Sequence, residues 1–302
     1  VSKYVFIVAA SKEYAEPVRA LINSINIHHK CIDFDIHVLD YGVGSLLKDL
    51  GNIRLVSIPA KYTPKQKAVM SYRHLYAATV KDEGYTAACL LDADMFFLRD
   101  VSKYLRITEK AHTLIAASDC VNVLLHKPHR DRVAGALTAN FYNTKTITTV
   151  PLFFAPAVHS EVFRTTYEWA VANNEEDLFC LNLALCANKP IWDNMLVLSA
   201  HAWTGIHHSM LKPNNRLRFI EPDTKYGVKG QYLAESGEEV FAIHGRWFDP
   251  LWVEGLKTTM REYYMYEFGM SGDSVKKHMR QTQGSIDLSL AVYNQYLRGE
   301  KA

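Results

Sequence analysis

"CLLDADMFFL", residues 89–98, sets two aspartates, Asp92 and Asp94, one residue apart inside an otherwise apolar run. The stretch "TAACLLDAD" (86–94) reads as a buried strand, and the two acids fall where it leaves the sheet. Residues two apart on a strand point the same way. Two carboxylates this close repel, and removing them from water adds to the cost. A divalent cation relieves both. Hard oxygen ligands suit Mg²⁺ or Mn²⁺, which bind through one or two carboxylates plus substrate phosphates. Open α/β folds bind their ligands at the carboxyl ends of parallel strands. A solvated turn after a buried strand also favours Asp, so the neighbouring segments have to decide.

Working outward, "YVFIVAA" (4–10), "FDIHVLD" (34–40) and "IRLVSIP" (53–59) read as apolar strands. Between the first two, Val18, Leu21, Ile22 and Ile25 in residues 12–29 follow the spacing of one helix face. Residues 65–81 read as a second helix, with Val69, Tyr72 and Tyr76 on one side. Strands alternating with helices, each strand nearly continuous in apolar residues, predict a parallel sheet covered on both faces. Further strands are expected at 112–118, 149–156 and 239–245, and helices at 157–172 and 175–187. Residues 201–230 read as long loops, and the chain from Pro250 onward as two or three helices. The expectation is an α/β domain over 1–249 with a helical C-terminal extension, 250–302, packed on it.

Composition narrows the classes. The chain has 302 residues, 48% hydrophobic and 22% charged, with a net charge of +2, too small for a dedicated nucleic-acid binder. Five cysteines (Cys31, Cys89, Cys120, Cys180, Cys186) are scattered, and none forms a C-x-x-C pair. They predict free thiols in a reducing compartment. No apolar run reaches the ~20 residues of a membrane span. The expected location is cytoplasmic.

"LLDADMFFLRD" (90–100) resembles the D-x-D segment of metal-dependent nucleotide-sugar glycosyltransferases of the GT-A fold, in the branch of glycogenin, galactinol synthase and the lipopolysaccharide galactosyltransferases. The fold so implied is Rossmann-like: a mostly parallel sheet flanked by helices. Four further segments are similar. "VAASKEY" (8–14) matches the turn that lies against the nucleotide, which implies contacts from Ala9, Ala10, Ser11 and Tyr14. "KAVMSYRHLYAA" (67–78) matches the helix that sends a basic residue, here Arg73, toward the diphosphate. "NNEEDLFCLNLAL" (173–185) matches an acidic helix start that binds the donor sugar or the acceptor, which implies catalytic roles for Asp177 and Glu176. "FAIHGRWFDPLW" (241–252) matches the C-terminal H-x-G-x-x-K-P-W box, with His244 as third metal ligand beside Asp92 and Asp94. That box departs from the pattern. Gly245 follows His244 directly and no lysine stands in place, which leaves Arg246 as the nearest cation.

The resemblance implies transfer of a sugar from a nucleotide-diphosphate donor, UDP-sugar favoured, to an acceptor hydroxyl, with Mn²⁺ or Mg²⁺ as cofactor. Asp92 would contact donor and metal together. A carbohydrate acceptor is favoured over protein, lipid-linked sugar or modified DNA. Its site is expected between residues 120–145 and 201–230, where Trp203, His207, His208 and Lys212 supply an aromatic platform and polar groups. "HKPHRDR" (126–132) and Lys229 form a modest basic patch. Tyr263, Tyr264, Tyr266 and Phe268 read as core packing, with the C-terminal helices a candidate homodimer contact. Two alternatives stand beside this: a non-catalytic nucleotide-sugar-binding protein, and a haloacid-dehalogenase-type phosphatase. The phosphatase pattern wants Thr or Val where Phe96 stands and an acid on the first strand, which has none. A dinucleotide site is disfavoured because "GVG" (42–44) lacks its third glycine, with Leu47 in its place.

Overall fold

In the first strand, β1 (Tyr4–Ser11), every residue but Ser11 is buried, as its unbroken apolar run requires. It pairs in parallel with β2 (Phe34–Tyr41) on one side and with β4 (Ala87–Asp92) on the other. β3 (Ile53–Ser57) pairs with β2 and is partly exposed, as an edge strand should be. The structure, a computed structural model, describes residues 3–59, 71–118, 146–199, 205–206, 212–223, 225 and 229–301. The expected helix at 65–81 is described from residue 71 on, with α2 over Tyr72–Thr79. The basic stretch 126–132 and Trp203, His207 and His208 lie outside the described residues, as does Cys120.

The seven-stranded sheet has the order β3-β2-β1-β4-β7-β6-β8, where β6 is Leu114–Ser118, β7 Ile147–Phe154 and β8 Met195–Leu198. It is mostly parallel. β7 is the exception and runs antiparallel to both β4 and β6. All eight β7 residues are buried, so its sequence carries no alternation that would reveal its direction. α3 (Ser102–Ala111) packs on β4, β6 and β7. α4 (Pro156–Asn173) packs on α2 and on α5 (Asp177–Ala187). α6 (Lys189–Asp193) is a short turn of helix before β8. The described cysteines, Cys31, Cys89, Cys180 and Cys186, are free thiols.

Contacts divide the chain into two compact units: Val1–Ala15, Lys30–Ala93 and Val101–Ser199 form one, and Glu16–His29, Asp94–Asp100 and Ala200–Ala302 the other. The strand expected over 86–94 is a single strand that stops two residues short of Asp94. β4 ends at Asp92, and β5 (Met95–Phe97) belongs to a second sheet of order β5-β12-β9, with β9 Gly205–Ile206 and β12 Ala242–His244. Asp92 closes β4 and Asp94 sits in the intervening turn, so the two do not share one strand face.

The second unit has its own core. α1 (Ala15–His28) contributes Ala20, β5 Phe96, and the C-terminal helices α7 (Pro250–Tyr266) and α8 (Gly272–Leu297) Met260, Tyr264, Ile286 and Tyr296. The tyrosine cluster divides by helix face: Tyr264 is fully buried, while Tyr266 is 77% exposed and Phe268, beyond the helix end, 49%. A β-hairpin of β10 (Leu217–Ile220) and β11 (Gln231–Ala234) is clamped to α7 and α8 by buried Arg216. Arg216 donates to Glu235 at 3.0 Å, to the His278 carbonyl at 3.2 Å and to the Tyr264 hydroxyl at 3.4 Å. No helix among the described residues is long and apolar enough to cross a membrane.

Candidate functional site

The sheet order 3-2-1-4 reverses direction of growth at β1, which makes the crevice beyond the carboxyl ends of β1 and β4 the expected ligand site. Register puts Ala9 opposite Asp92 there. Ala9 and Ala10 are buried and their small side chains leave the strand end uncluttered. Ser11 ends β1 and precedes a 3₁₀ turn (Lys12–Tyr14) without capping it, although it hydrogen-bonds the Glu13 carboxylate and thereby lowers that group's pKa. Tyr14 is half-buried at the end of that turn.

Asp94 and His244 are brought together by the second sheet. β12 runs antiparallel to β5, with Ala242 opposite Phe97 and His244 opposite Met95, the residue after Asp94. The His244 Nε2 lies 3.1 Å from Asp94 Oδ1, and the Gly245 amide donates to the Asp94 carbonyl at 3.0 Å. Gly245 has a φ of +149°, and a Cβ on it would lie 2.6 Å from Trp252 Cη2. Only glycine fits between the His244 strand and the Trp252 ring. Arg246 points elsewhere: it is exposed, 3.4 Å from Asp249 and against Phe248.

Asp92, Asp94 and His244 each offer a ligand atom, all within 4.8 Å of one another, and all three residues are half-buried. Two carboxylates and an imidazole form a hard donor set with room left for water and phosphate oxygens, which fits a divalent cation of the Mn²⁺ or Mg²⁺ type.

Asp92 also belongs to a buried charge network. Arg73, on α2, is 4% exposed. It donates through Nη1 to Asp92 Oδ1, through Nε and Nη2 to Asp177 Oδ2 at 2.9 and 2.6 Å, and through Nη2 to Thr149 Oγ1 at 3.1 Å. His74, the next residue, reaches the same Asp177 oxygen from Nε2 at 3.2 Å and stacks on Phe163. Burial opposes the Arg73 charge, and Asp177 and Asp92 more than restore it, so the guanidinium stays charged. Burial would raise the Asp177 pKa, and Arg73 and His74 overcome it, holding the carboxyl far below its usual range. Burial lowers the His74 pKa against the pull of Asp177, which leaves the imidazole neutral at pH 7 with its proton on Nε2. Asp92 and Asp177 thus share one guanidinium, and a divalent cation held by Asp92 and Asp94 would add positive charge beside it.

The acidic helix start holds differently placed groups. Asp177 is the first residue of α5, where an acid is favoured by the helix dipole. Glu176 is exposed, and Glu175 is buried, accepting from the Glu176 amide at 3.1 Å. His74, Thr149 and Glu175 escaped the sequence analysis. His74 stands beside Arg73 and Glu175 within the acidic helix start, but neither was singled out, and nothing in the local pattern marks Thr149.

No protein-family model matches the chain, and no curated protein matches it. Solved structures do. The galactosyltransferase LgtC in complex with donor and acceptor sugar analogues superposes with a TM-score of 0.54 at 13% identity, over 93% of this chain and 95% of that one. An active-site mutant of LgtC gives 0.53 at 14% identity, over 84% and 95%. The bifunctional glycosyltransferase WbbM in its apo form gives 0.51 at 16% identity, over 88% of this chain and 51% of that one. At such identities the likeness is one of fold. The mostly parallel sheet flanked by helices, with helices at its C-terminal end, is the GT-A fold that the D-x-D segment implied.

Proposed function

We propose that this protein is a metal-dependent glycosyltransferase that moves a sugar from a nucleotide diphosphate, UDP-sugar favoured, to a hydroxyl of a carbohydrate acceptor. The observation that carries this is the convergence of Asp92, Asp94 and His244 within 4.8 Å beside the small-residue end of β1. Fold likeness to LgtC and WbbM, both named as sugar-transferring enzymes, supports it.

A divalent cation held by Asp92, Asp94 and His244 would neutralise the diphosphate as it departs. The chain's own residues do the rest. Ala9, Ala10 and Ser11 let the nucleotide approach the backbone, and Tyr14 offers it an aromatic face. Arg73 fixes the Asp92 carboxylate through Oδ1. This is a positioning role, since the guanidinium is already spent on Asp92, Asp177 and Thr149. Arg246, exposed just past β12 and beside Asp249, would have to leave that contact to meet a phosphate. Asp177, ionised and tied to Arg73, suits accepting a hydrogen bond from a sugar hydroxyl. It is a poor proton acceptor, because a base works best with a pKa near the working pH. Glu176, exposed at the start of α5, is the carboxylate placed to meet an acceptor.

Donor turnover tests this against a protein that only binds nucleotide sugars. Release of free UDP from UDP-sugars in the presence of Mn²⁺, abolished by EDTA and by Asp94→Ala, is expected. Binding without release would make the protein a non-catalytic binder.

A further inference from the structure

Within the second unit a cavity of about 350 Å³ lies among β10, β11 and the segment after β5, lined by Arg99, Phe219, Gly230, Gln231, Tyr232 and Lys301. Pockets for small ligands begin at roughly this size. We propose that it binds a saccharide carrying an anionic group, a phosphate or a carboxylate, at a site separate from Asp94 and His244.

Its chemistry is mixed in the way such a ligand needs. Phe219 and Tyr232 are cross-strand partners with ring centroids 4.9 Å apart, an aromatic wall against which the C–H face of a sugar can lie. Gly230 makes that wall possible: a Cβ there would lie 2.7 Å from Phe219 Cζ. Arg99 is held in place, with Nη2 donating to the Tyr232 carbonyl at 2.9 Å and Nη1 2.9 Å from Glu239. A guanidinium fixed in this way loses little freedom on gripping an anion. Lys301 adds a second positive charge, and Gln231 an amide. His28, also in the lining, is neutral at pH 7, because burial lowers its pKa to about 4. Among the described lining residues there is no Asp or Glu; Glu239, which pairs with Arg99, is not one of them, and Lys301 leaves the group of three with a net positive charge.

Position suggests a use. Arg99 follows Asp94 by five residues, mostly through β5, which limits their separation to about 17 Å. A short oligosaccharide spans that distance. An acceptor with its reacting hydroxyl at the Asp94 site could set a distal acidic sugar here; this last step rests on the glycosyltransferase reading, and the binding itself does not.

Calorimetry on the full chain with EDTA present, using glucose 6-phosphate, glucuronate, glucose and inorganic phosphate as probes, tests the site. At least one of the two anionic sugars should bind about tenfold tighter than both glucose and inorganic phosphate, since it alone engages wall and cations together. Which one binds identifies the anion. Lys301→Ala and Arg99→Gln should each weaken it severalfold, and Asp94→Ala should leave it unchanged. Lys301 is exposed, so its removal does not threaten folding. Equal binding of inorganic phosphate, no binding by either anionic sugar, or loss in Asp94→Ala would overturn the proposal. Because EDTA silences the metal site, a failed Mn²⁺-dependent donor experiment leaves this result standing, and the reverse also holds.

Discussion

Replacing Arg73 by methionine keeps much of the volume and removes the cation that Asp92 and Asp177 share. Two carboxylates would then stay in place without their counter-ion, and such a loss costs about 3–5 kcal/mol. Denaturant unfolding of Arg73→Met should show a loss of this order, and an unchanged midpoint would mean that the network contributes nothing to stability. Asp177→Asn tests the assignment of Asp177 as an orienting group. It should lower kcat and leave the lower limb of the pH–rate profile where it is, because the native carboxyl is already ionised throughout the working range. A limb that disappears in the variant would make Asp177 the titrating base. At this scale the three residues proposed to hold a metal were legible and the groups around them were not. Asp92, Asp94 and His244 stand in recognisable segments. Arg73 looked like a residue sent toward phosphate, whereas burial and two acids decide its partners, and those acids are 19 and 104 residues away in sequence.

At the next scale, the turn after β12 governs the position of His244, the proposed third metal ligand. Gly245→Ala drives a Cβ into Trp252 and demands a positive φ of an L-residue, so the β12 end that carries His244 must shift. The expected outcome is about tenfold weaker Mn²⁺ binding with the sheet intact by circular dichroism. Unchanged affinity would show that the turn is free to adapt. Arg216→Met should loosen the β10–β11 hairpin from α8 and cost about 1–3 kcal/mol, as expected for losing several buried hydrogen bonds to one charged group. Hydrogen exchange localised to 217–234 would report it. The early strands and helices were readable because each is one buried, continuous pattern, and β1, α1, β2 and β4 fall close to where their periodicity put them. α3 went unread because its charged, exposed face masks the few buried positions Tyr104, Leu105 and Thr108. The two acids marked where β4 leaves its sheet, but the pairing of Met95–Phe97 in a second sheet was not legible, since its partners on β12 lie far along the chain.

Across the whole molecule, several histidines are wholly or partly buried and neutral. Burial lowers the pKa of His28 and of His159 to about 4, and lowers that of His37, whose ring lies between the Tyr76 and Tyr85 hydroxyls. The unfolded chain binds these protons near pH 6.5 and the folded chain does not. Their contribution is therefore complete above about pH 6.5 and is lost as pH falls toward 4. Stability should be flat from pH 7 to 8 and decline steadily below 6.5, and a plateau reaching pH 4 would contradict it. The fold as a whole was legible because a short two-acid signal at a strand end implies a particular kind of sheet, and the antiparallel β7 is the part it did not convey. The central claim concerns the two acids of "CLLDADMFFL". Calorimetric titration of UDP-sugars into the protein, with and without Mn²⁺, for wild type and Asp94→Ala, addresses it most directly. Metal-dependent binding of one donor, lost in the variant, is the predicted result. Absence of binding by any nucleotide sugar with Mn²⁺ present, or equal binding by Asp94→Ala, would contradict the account.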